Sequence, residues 1–351
     1  MGSLWCQEAY CAGDDKPILL ESGEALGEIE IARTVAVMRT AIVYAAERQS
    51  QPVLVKVAHA GLEERLKREA VLLTKMQQRT KGSVPAHPAL PLLLPAHAQA
   101  KLSSYPYGKI VVSGVAFYYA VFRFTAGEPL KDVLLHNPQP WYQHAGWLIL
   151  AIADAIALMH SAGRLHICLS PEGILVRFDR DGIPRPLLLD LGAASPVDEM
   201  ARNWRRSFTP PAYLAPELLS QVGAKLGAFT DVYGLGMILY EMLAGSPVYP
   251  PGQRPDTEIY RDVLEAQPTP LERSDLRKFP DLAAQAISKD HRRRPQQVIN
   301  FARELQANLP PLPREKQERR VNWRMVAIGL SAAMAITLLV ALALSLGSLP
   351  G

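Results

Sequence analysis

The stretch His166–Val176, HICLSPEGILV, lies near the middle of the chain, and the segments on both sides of it indicate how it is held. Residues 141–160, WYQHAGWLILAIADAIALMH, have the broad apolar face of a buried helix, and Gly163 is a typical helix end. Residues 186–192, PLLLDLG, are typical of a buried strand that ends at a carboxylate, Asp190. The sequence therefore predicts a long helix, a loop and a buried strand in this order.

The N-terminal part of the chain has a different period. Three runs rich in β-branched residues, IEIARTVAV, AIVYAA and VLVKVA, occupy residues 28–58 and predict antiparallel strands with a hairpin between the last two. Residues 62–76 then show apolar side chains at helical spacing, which predicts an amphipathic helix. Lys56 lies in the third run and Glu69 in this helix, although the strand pattern alone also allows Lys56 to face solvent.

The order of these segments resembles that of the bacterial Ser/Thr protein kinases over residues 28–309. The resemblance rests on a strand Lys at 56, a helix Glu at 69, H-x-x-L-x-P-E at 166–172, D-L-G at 190–192, A-P-E at 215–217, D-V-Y-G-L-G at 231–236 and R-P at 294–295. It implies an α+β fold of two lobes. A small antiparallel β lobe would cover about 28–125, and a larger helical lobe about 126–309.

The resemblance also implies the roles of several side chains around a nucleotide. Lys56 would pair with Glu69 and contact the α- and β-phosphates of ATP. Asp190 would bind Mg²⁺. Residues 121–125, with Val121 and Arg123 among them, would line an adenine pocket if one is open.

Other residues of the resemblance have structural roles. Glu217 and Arg294 would form a buried ion pair in the helical lobe. Asp231 would accept hydrogen bonds from the backbone of the 166–176 loop, in which His166 is a structural residue. These roles do not depend on catalysis.

The 166–176 loop departs from the family at the positions that perform the chemistry. In the motif H-R-D-x-K-P-x-N the Asp accepts the proton of the substrate hydroxyl, the Lys steadies the phosphoryl group and the Asn holds Mg²⁺. Cys168, Ser170 and Gly173 stand at these three positions, and Ile167 replaces the Arg. A general base contributes about 10²–10⁴-fold to the rate. We therefore expect the catalytic machinery to be degenerate.

Two neighbouring segments are also altered. The glycine positions of the phosphate-covering loop are occupied by Ala36, Met38 and Ala41. The activation segment would run from Ala193 to Thr209 and end at YLAPE, residues 213–217. Just after Thr209, Pro210 replaces the Thr that helps to position the substrate. Ser207 and Thr209 in this segment are either phosphorylation sites or ordinary loop residues.

These features favour a pseudokinase that acts as a signalling scaffold or allosteric partner, with residual binding of ATP and Mg²⁺ left open. Two alternatives stay open. The chain could be an active or atypical Ser/Thr kinase that uses Lys56, Glu69 and Asp190 with an unidentified base. It could also be a nucleotide-gated switch that binds ATP without transferring phosphate. Its partners would be proteins: an active kinase, cell-envelope machinery or a phosphoprotein-binding module.

The C-terminal part of the chain predicts a membrane anchor. Residues 325–347 contain no charged side chain and would form a helix of about 34 Å, against a hydrocarbon core of roughly 30 Å. The linker 310–324 carries more basic than acidic residues, so the positive-inside rule predicts a kinase-like domain on the cytoplasmic side. Only 348–351 would emerge on the far side. Gly329 and Ala333 in this helix could support a homodimer.

Composition limits the remaining possibilities. The formal charge of +4 comes from 38 basic and 34 acidic residues, a balance that does not favour nucleic-acid binding. Residues 1–27 read as a partly irregular leader without a secretory signal. Cys6 and Cys11 in this leader could be half of a zinc site, but no second Cys/His pair follows, so ordinary thiols are favoured.

Overall fold

The computed structural model describes residues 19–80, 84–112, 114–220, 225–272 and 274–312. The described residues up to Pro311 belong to one compact unit. Several sequence predictions lie outside the described residues: the Cys6 and Cys11 thiols, most of the 1–27 leader and of the 310–324 linker, the 325–347 membrane helix with Gly329 and Ala333, and the 348–351 tail.

An antiparallel sheet forms the N-terminal lobe. Its strands are β1 (Ala25–Leu26), β2 (Ile29–Val37), β3 (Ala41–Arg48), β4 (Gln51–Ala58), β5 (Leu93–Leu94), β6 (Gly108–Val112) and β7 (Val115–Arg123). They are arranged in the order β1-β2-β3-β4-β7-β5, with β6 paired to β7. The hairpin between β3 and β4 turns at Gln49 and Ser50, whose φ angles of 53° and 61° suit a two-residue hairpin turn. The three predicted strands and their hairpin are confirmed.

The two faces of this sheet belong to different cores because side chains alternate along each strand. Val43, Leu54 and Phe122 lie on the face that joins the main core of the molecule. Val55 and Val121 lie on the other face, in a second apolar cluster. Helix α1 (Glu63–Gln78), predicted at 62–76, contributes its apolar side to the main core. The cleft face of the sheet is therefore the face that α1 covers.

Helices form the C-terminal lobe. They are α2 (Leu130–His136), α3 (Tyr142–Ser161), α4 (Met200–Asn203), α5 (Pro216–Leu219), α6 (Ala228–Ala244), α7 (Asp256–Glu265), α8 (Phe279–Ala286) and α9 (Val298–Ala307). In α6 every residue from Phe229 to Leu243 is buried. Within the described ranges, α3 is the helix whose length and apolar composition would suffice to cross a membrane. It packs against α6 and α9, so its apolar side chains serve the core.

A small second sheet positions the loop between the lobes. Strands β8 (Glu128–Pro129), β9 (Ile174–Phe178) and β10 (Pro184–Leu188) pair antiparallel in the order β10-β9-β8. The 166–173 loop enters β9, and Asp190 follows β10 by two residues, so the hairpin brings both to one end of the sheet. The predicted α+β architecture, an antiparallel β lobe followed by a helical lobe, is confirmed.

Candidate functional site between the lobes

The backbone of the 166–176 loop is held by Asp231 at the start of α6. Its carboxylate accepts hydrogen bonds from His166 N at 2.9 Å and Ile167 N at 2.6 Å, and it contacts His160 Nε2 at 2.7 Å. Burial raises the pKa of Asp231, but these hydrogen bonds and the nearby His160 outweigh burial and hold the pKa below its ordinary value. The loop is thus clamped by an ionised, fully buried carboxylate.

Lys56 points from β4 into the cleft. Its Nζ lies 2.5 Å from Glu69 Oε2, 2.7 Å from the carbonyl oxygen of Leu189 and 3.3 Å from Asp190 Oδ1. The side chains of Lys56 and Glu69 are 2% and 1% exposed. The pair inferred from the sequence is therefore formed, and it joins β4 to helix α1 and to the D-L-G turn.

Both carboxylate oxygens of Asp190 are engaged by other side chains. Oδ1 contacts Lys56, and Oδ2 accepts a hydrogen bond from Arg65 Nη2 at 2.8 Å and from Thr40 Oγ1 at 3.5 Å. Burial raises the pKa of Asp190, but Arg65 and Lys56 outweigh it and hold the pKa well below its usual range. Asp190 is ionised, and cationic side chains surround it.

Cys168, Ser170 and Gly173 are three loop positions at which the sequence departs from the motif. Cys168 is buried, and burial raises the pKa of its thiol. Ser170 is also buried, at 3% exposure. A Cβ on Gly173 would lie 3.3 Å from Asp190 Cβ, so this position lies beside Asp190 but offers no side-chain ligand atom. Among the residues that the structure describes, no group of three His, Cys, Asp or Glu side chains is arranged to hold a metal ion.

The tip of the β2–β3 hairpin, residues 38–41, lies directly on the loop. Besides the contact of Thr40 with Asp190, the backbone N–H of Arg39 donates to Glu172 Oε1 at 3.3 Å. Met38 N donates to the carbonyl oxygen of Ala41 at 3.0 Å and closes the tip. Residues 38–41, at the position of the glycine-rich loop, are thus hydrogen-bonded to Glu172 and Asp190.

In strand β7, the side chain on the cleft face is not that of Val121, which the sequence suggested for an adenine pocket. In β7, Ala120 pairs with Lys56 and Phe122 pairs with Leu54, so these side chains share the cleft face. Val121 lies on the opposite face, within the second apolar cluster. The cleft-facing side chain is therefore Phe122, because an alternating strand presents every second residue and the 121–125 interval did not specify which.

The described side chains do not fit ATP and Mg²⁺ in this arrangement. Val43 and Leu54 are 0% exposed and Leu175 is 1% exposed, and all three belong to the main core, so they present no free apolar surface to a purine. Arg123 is exposed at the sheet margin. The oxygens of Asp190 are covered by cations, as described above.

The helical lobe contains the expected ion pair. Arg294 Nη1 and Nη2 donate to Glu217 Oε1 and Oε2 at 2.8 and 2.9 Å, and the guanidinium lies 4.6 Å above the ring of Tyr233. In the activation segment Thr209 is 1% exposed, which places its hydroxyl away from solvent. Ser207 is partly exposed.

Sequence reasoning missed Arg65 and Thr40, which both contact Asp190. Arg65 carried a usable signal, because it lies four residues before Glu69 on the same face of a predicted helix. Thr40 had none, since its position depends on how the β2–β3 tip bends toward the other lobe.

The comparisons with known proteins agree with this fold. The family model described as protein kinase domain matches residues 111–306, more than half of the chain. The chain belongs to the protein kinase family. It is similar to the serine/threonine-protein kinase pkn2 of Myxococcus xanthus, with 30% identity over 76% of this chain and 30% of the relative. It is also similar to PkaA of Streptomyces coelicolor, with 35% identity over 44% of this chain and 30% of that relative.

A human relative, the serine/threonine-protein kinase DCLK3, is 30% identical over 41% of this chain and 22% of its own length. The chain thus spans less than a third of the length of these curated relatives. The two bacterial relatives confirm the predicted bacterial Ser/Thr protein-kinase-like family.

Proposed function

We propose that this protein-kinase-like chain is a pseudokinase that acts through protein partners rather than by transferring phosphate. The observation that carries the proposal is Cys168 at the position of the general base. Its thiol is buried and its pKa is raised by burial, so at neutral pH it is an uncharged thiol that cannot accept the proton of a hydroxyl.

The retained contacts support a binding role because they stabilise the fold of the helical lobe and do not take part in phosphate transfer. Asp231 still clamps the loop backbone, and Arg294 still pairs with Glu217. Both contacts order the helical lobe whether or not phosphate is transferred. A rigid kinase-shaped surface suits a scaffold or an allosteric partner of an active kinase, of envelope machinery or of a phosphoprotein-binding module.

The proposal includes a location. Residues 325–347 would anchor the chain in the cell membrane, and the basic residues of the 310–324 linker would keep the kinase-like domain on the cytoplasmic side. A homodimer through the membrane helix is compatible with this arrangement, and nucleic acid is not expected as a partner.

The test is a phosphotransfer assay on the full chain with radiolabelled ATP, Mg²⁺ and generic protein acceptors. Lys56→Met is the matched control, because it removes the cation that the family uses on the phosphates. We expect the unaltered chain to incorporate no more label than the control, while an unrelated active kinase labels the same acceptors. Incorporation that disappears in Lys56→Met would overturn the proposal in favour of an active kinase.

The intact Lys56–Glu69 pair leaves a second candidate, a nucleotide-gated switch. Thermal melting with and without ATP and Mg²⁺ distinguishes this switch from a scaffold that binds no nucleotide. A ligand at 100 times its dissociation constant stabilises a protein by about 2.7 kcal/mol, equivalent to several degrees. We expect no shift at millimolar nucleotide. A shift that is lost in Lys56→Met, without phosphotransfer, would instead support the switch.

A further inference from the structure

Arg65 is a buried cation at the centre of the site. It lies on α1, is 3% exposed, and its Nη2 lies 2.8 Å from Asp190 Oδ2. Its guanidinium also lies 4.7 Å above the ring of Phe208 in the activation segment. One side chain therefore connects α1, the D-L-G turn and the activation segment.

The D-L-G turn is shaped to accept this side chain. A Cβ added to Gly192 would lie 2.3 Å from Arg65 Cγ and 2.8 Å from the backbone oxygen of Arg65. No side chain fits at 192 unless α1 moves, since one of the contacting atoms is backbone. Arg65 can therefore reach Asp190 only because the D-L-G turn lies close to α1.

The buried charges balance without a metal. Lys56 and Arg65 contribute two positive charges, and Glu69 and Asp190 contribute two negative charges, all within one chain of contacts. Burial lowers the pKa of Arg65, but the charge of Asp190 and its hydrogen bond to the guanidinium outweigh burial, so the guanidinium stays charged. A divalent cation at Asp190 would leave an excess of positive charge in a buried site, which is costly.

Resting on the proposed function, we propose that Arg65 is a built-in cation that takes the place of a divalent metal at Asp190. Arg65 is then a specificity-determining residue: it excludes metal from the carboxylate, and it holds α1, the D-L-G turn and the activation segment together without nucleotide. The replacement at Gly173 completes this exclusion, because this position beside Asp190 supplies no side-chain ligand.

The test measures binding of Mn²⁺ alone to the full chain in lipid nanodiscs. The electron paramagnetic resonance signal of free Mn²⁺ reports how much of the ion stays unbound. We expect no binding specific to Asp190 in the unaltered chain at millimolar Mn²⁺. Arg65→Met keeps the aliphatic stem and frees Asp190, so it should bind Mn²⁺ at least about 10-fold more tightly. That gain should vanish in Arg65→Met combined with Asp190→Asn.

Arg68→Met is the matched control. Arg68 lies on the same helix and donates to the carbonyl oxygens of Gly192 at 3.4 Å and Asn203 at 3.3 Å. Removal of the Arg68 guanidinium should leave Mn²⁺ binding unchanged. The proposal is overturned if the unaltered chain already binds Mn²⁺ through Asp190, or if folded Arg65→Met binds no better than Arg68→Met.

A melting-temperature cycle keeps the proposal testable if Arg65→Met does not fold. Asp190→Asn alone leaves Arg65 buried without its counter-ion, so the double variant should melt no lower than Asp190→Asn. A double variant that melts below Asp190→Asn would show that Arg65 and Asp190 are not coupled and would overturn the proposal. Phosphotransfer by the unaltered chain would refute only the proposed function, whereas absence of the Mn²⁺ gain would refute only this inference.

Discussion

At the scale of single residues, a carboxylate distant in sequence holds the backbone of the 166–176 loop. Ile167 has a φ of 55°, a left-handed conformation that a β-branched residue rarely adopts. The N–H groups of His166 and Ile167 both donate to Asp231, so the carboxylate offsets the strain. The position is therefore held by a distant side chain and not by local preference.

The Asp231 clamp leads to a first prediction. Asp231→Asn keeps the size of the side chain but replaces one charged acceptor oxygen with a donor, which faces backbone N–H groups. We expect the free energy of unfolding to fall by ~3 kcal/mol, since hydrogen bonds to charged groups are the stronger kind. Urea denaturation measures this loss. Asp181→Asn, at an exposed turn position, should change stability little; an equal loss there would contradict the argument.

Two arginines two residues apart provide a second prediction. Arg294 pairs with buried Glu217, whereas Arg292 is 80% exposed and pairs with Asp290. Arg294→Met leaves a buried carboxylate without a partner and should cost about 3–5 kcal/mol. Arg292→Met should cost less than about 1 kcal/mol. The midpoints of urea denaturation compare the two variants, and similar midpoints would show that burial does not control the value of these pairs.

At the scale of elements, the activation segment is fastened to α6 through a titratable contact. Tyr213 OH donates to Glu241 Oε2 at 2.5 Å. Burial raises the pKa of Glu241 to about 7, although the hydrogen bond from Tyr213 acts in the opposite direction. The carboxyl group is therefore protonated more readily in the folded protein than in the unfolded chain.

This contact gives a third prediction, with a definite sign. Because the folded pKa of Glu241 lies above its unfolded value, the stability that it contributes is fully present below about pH 4.5 and is lost as pH rises through about 7. Glu241→Gln removes the titration. The free energy of unfolding of the unaltered chain minus that of the variant should fall by up to ~3 kcal/mol between pH 4.5 and 8. A difference that stays constant with pH would contradict the assignment.

At the scale of the whole molecule, two segments are apolar enough to suggest a membrane. Helix α3 is one, and it is packed within the helical lobe. The other, 325–347, lies outside the described residues and carries the proposed anchor. A shortened chain that lacks 325–347 but retains α3 distinguishes the two segments.

The fourth prediction concerns this anchor. The full chain should remain in the membrane pellet after alkaline carbonate extraction, because about 23 uncharged residues can span the hydrocarbon core. A chain that ends at residue 324 should move to the supernatant although it retains α3. A shortened chain that still resists extraction would place the anchor elsewhere.

The sequence by itself determined the family, the order of the elements and the replaced catalytic positions, because these depend on local periodicity and on motifs read along the chain. It also indicated the Lys56–Glu69 pair, whose members are 13 residues apart on adjacent elements. Such a short interval leaves few ways to bring the strand and the helix together.

Only the tertiary structure decided what surrounds Asp190. Arg65 and Thr40 approach it across 125 and 150 residues of sequence. In β7, Phe122 and not Val121 lies on the cleft face. Over such separations a side chain's contacts depend on how α1, the β2–β3 tip and the D-L-G turn pack against each other. Spacing within α1 placed Arg65 on the same face as Glu69, but it did not indicate the contact with Asp190, because that contact depends on how the two lobes pack against each other.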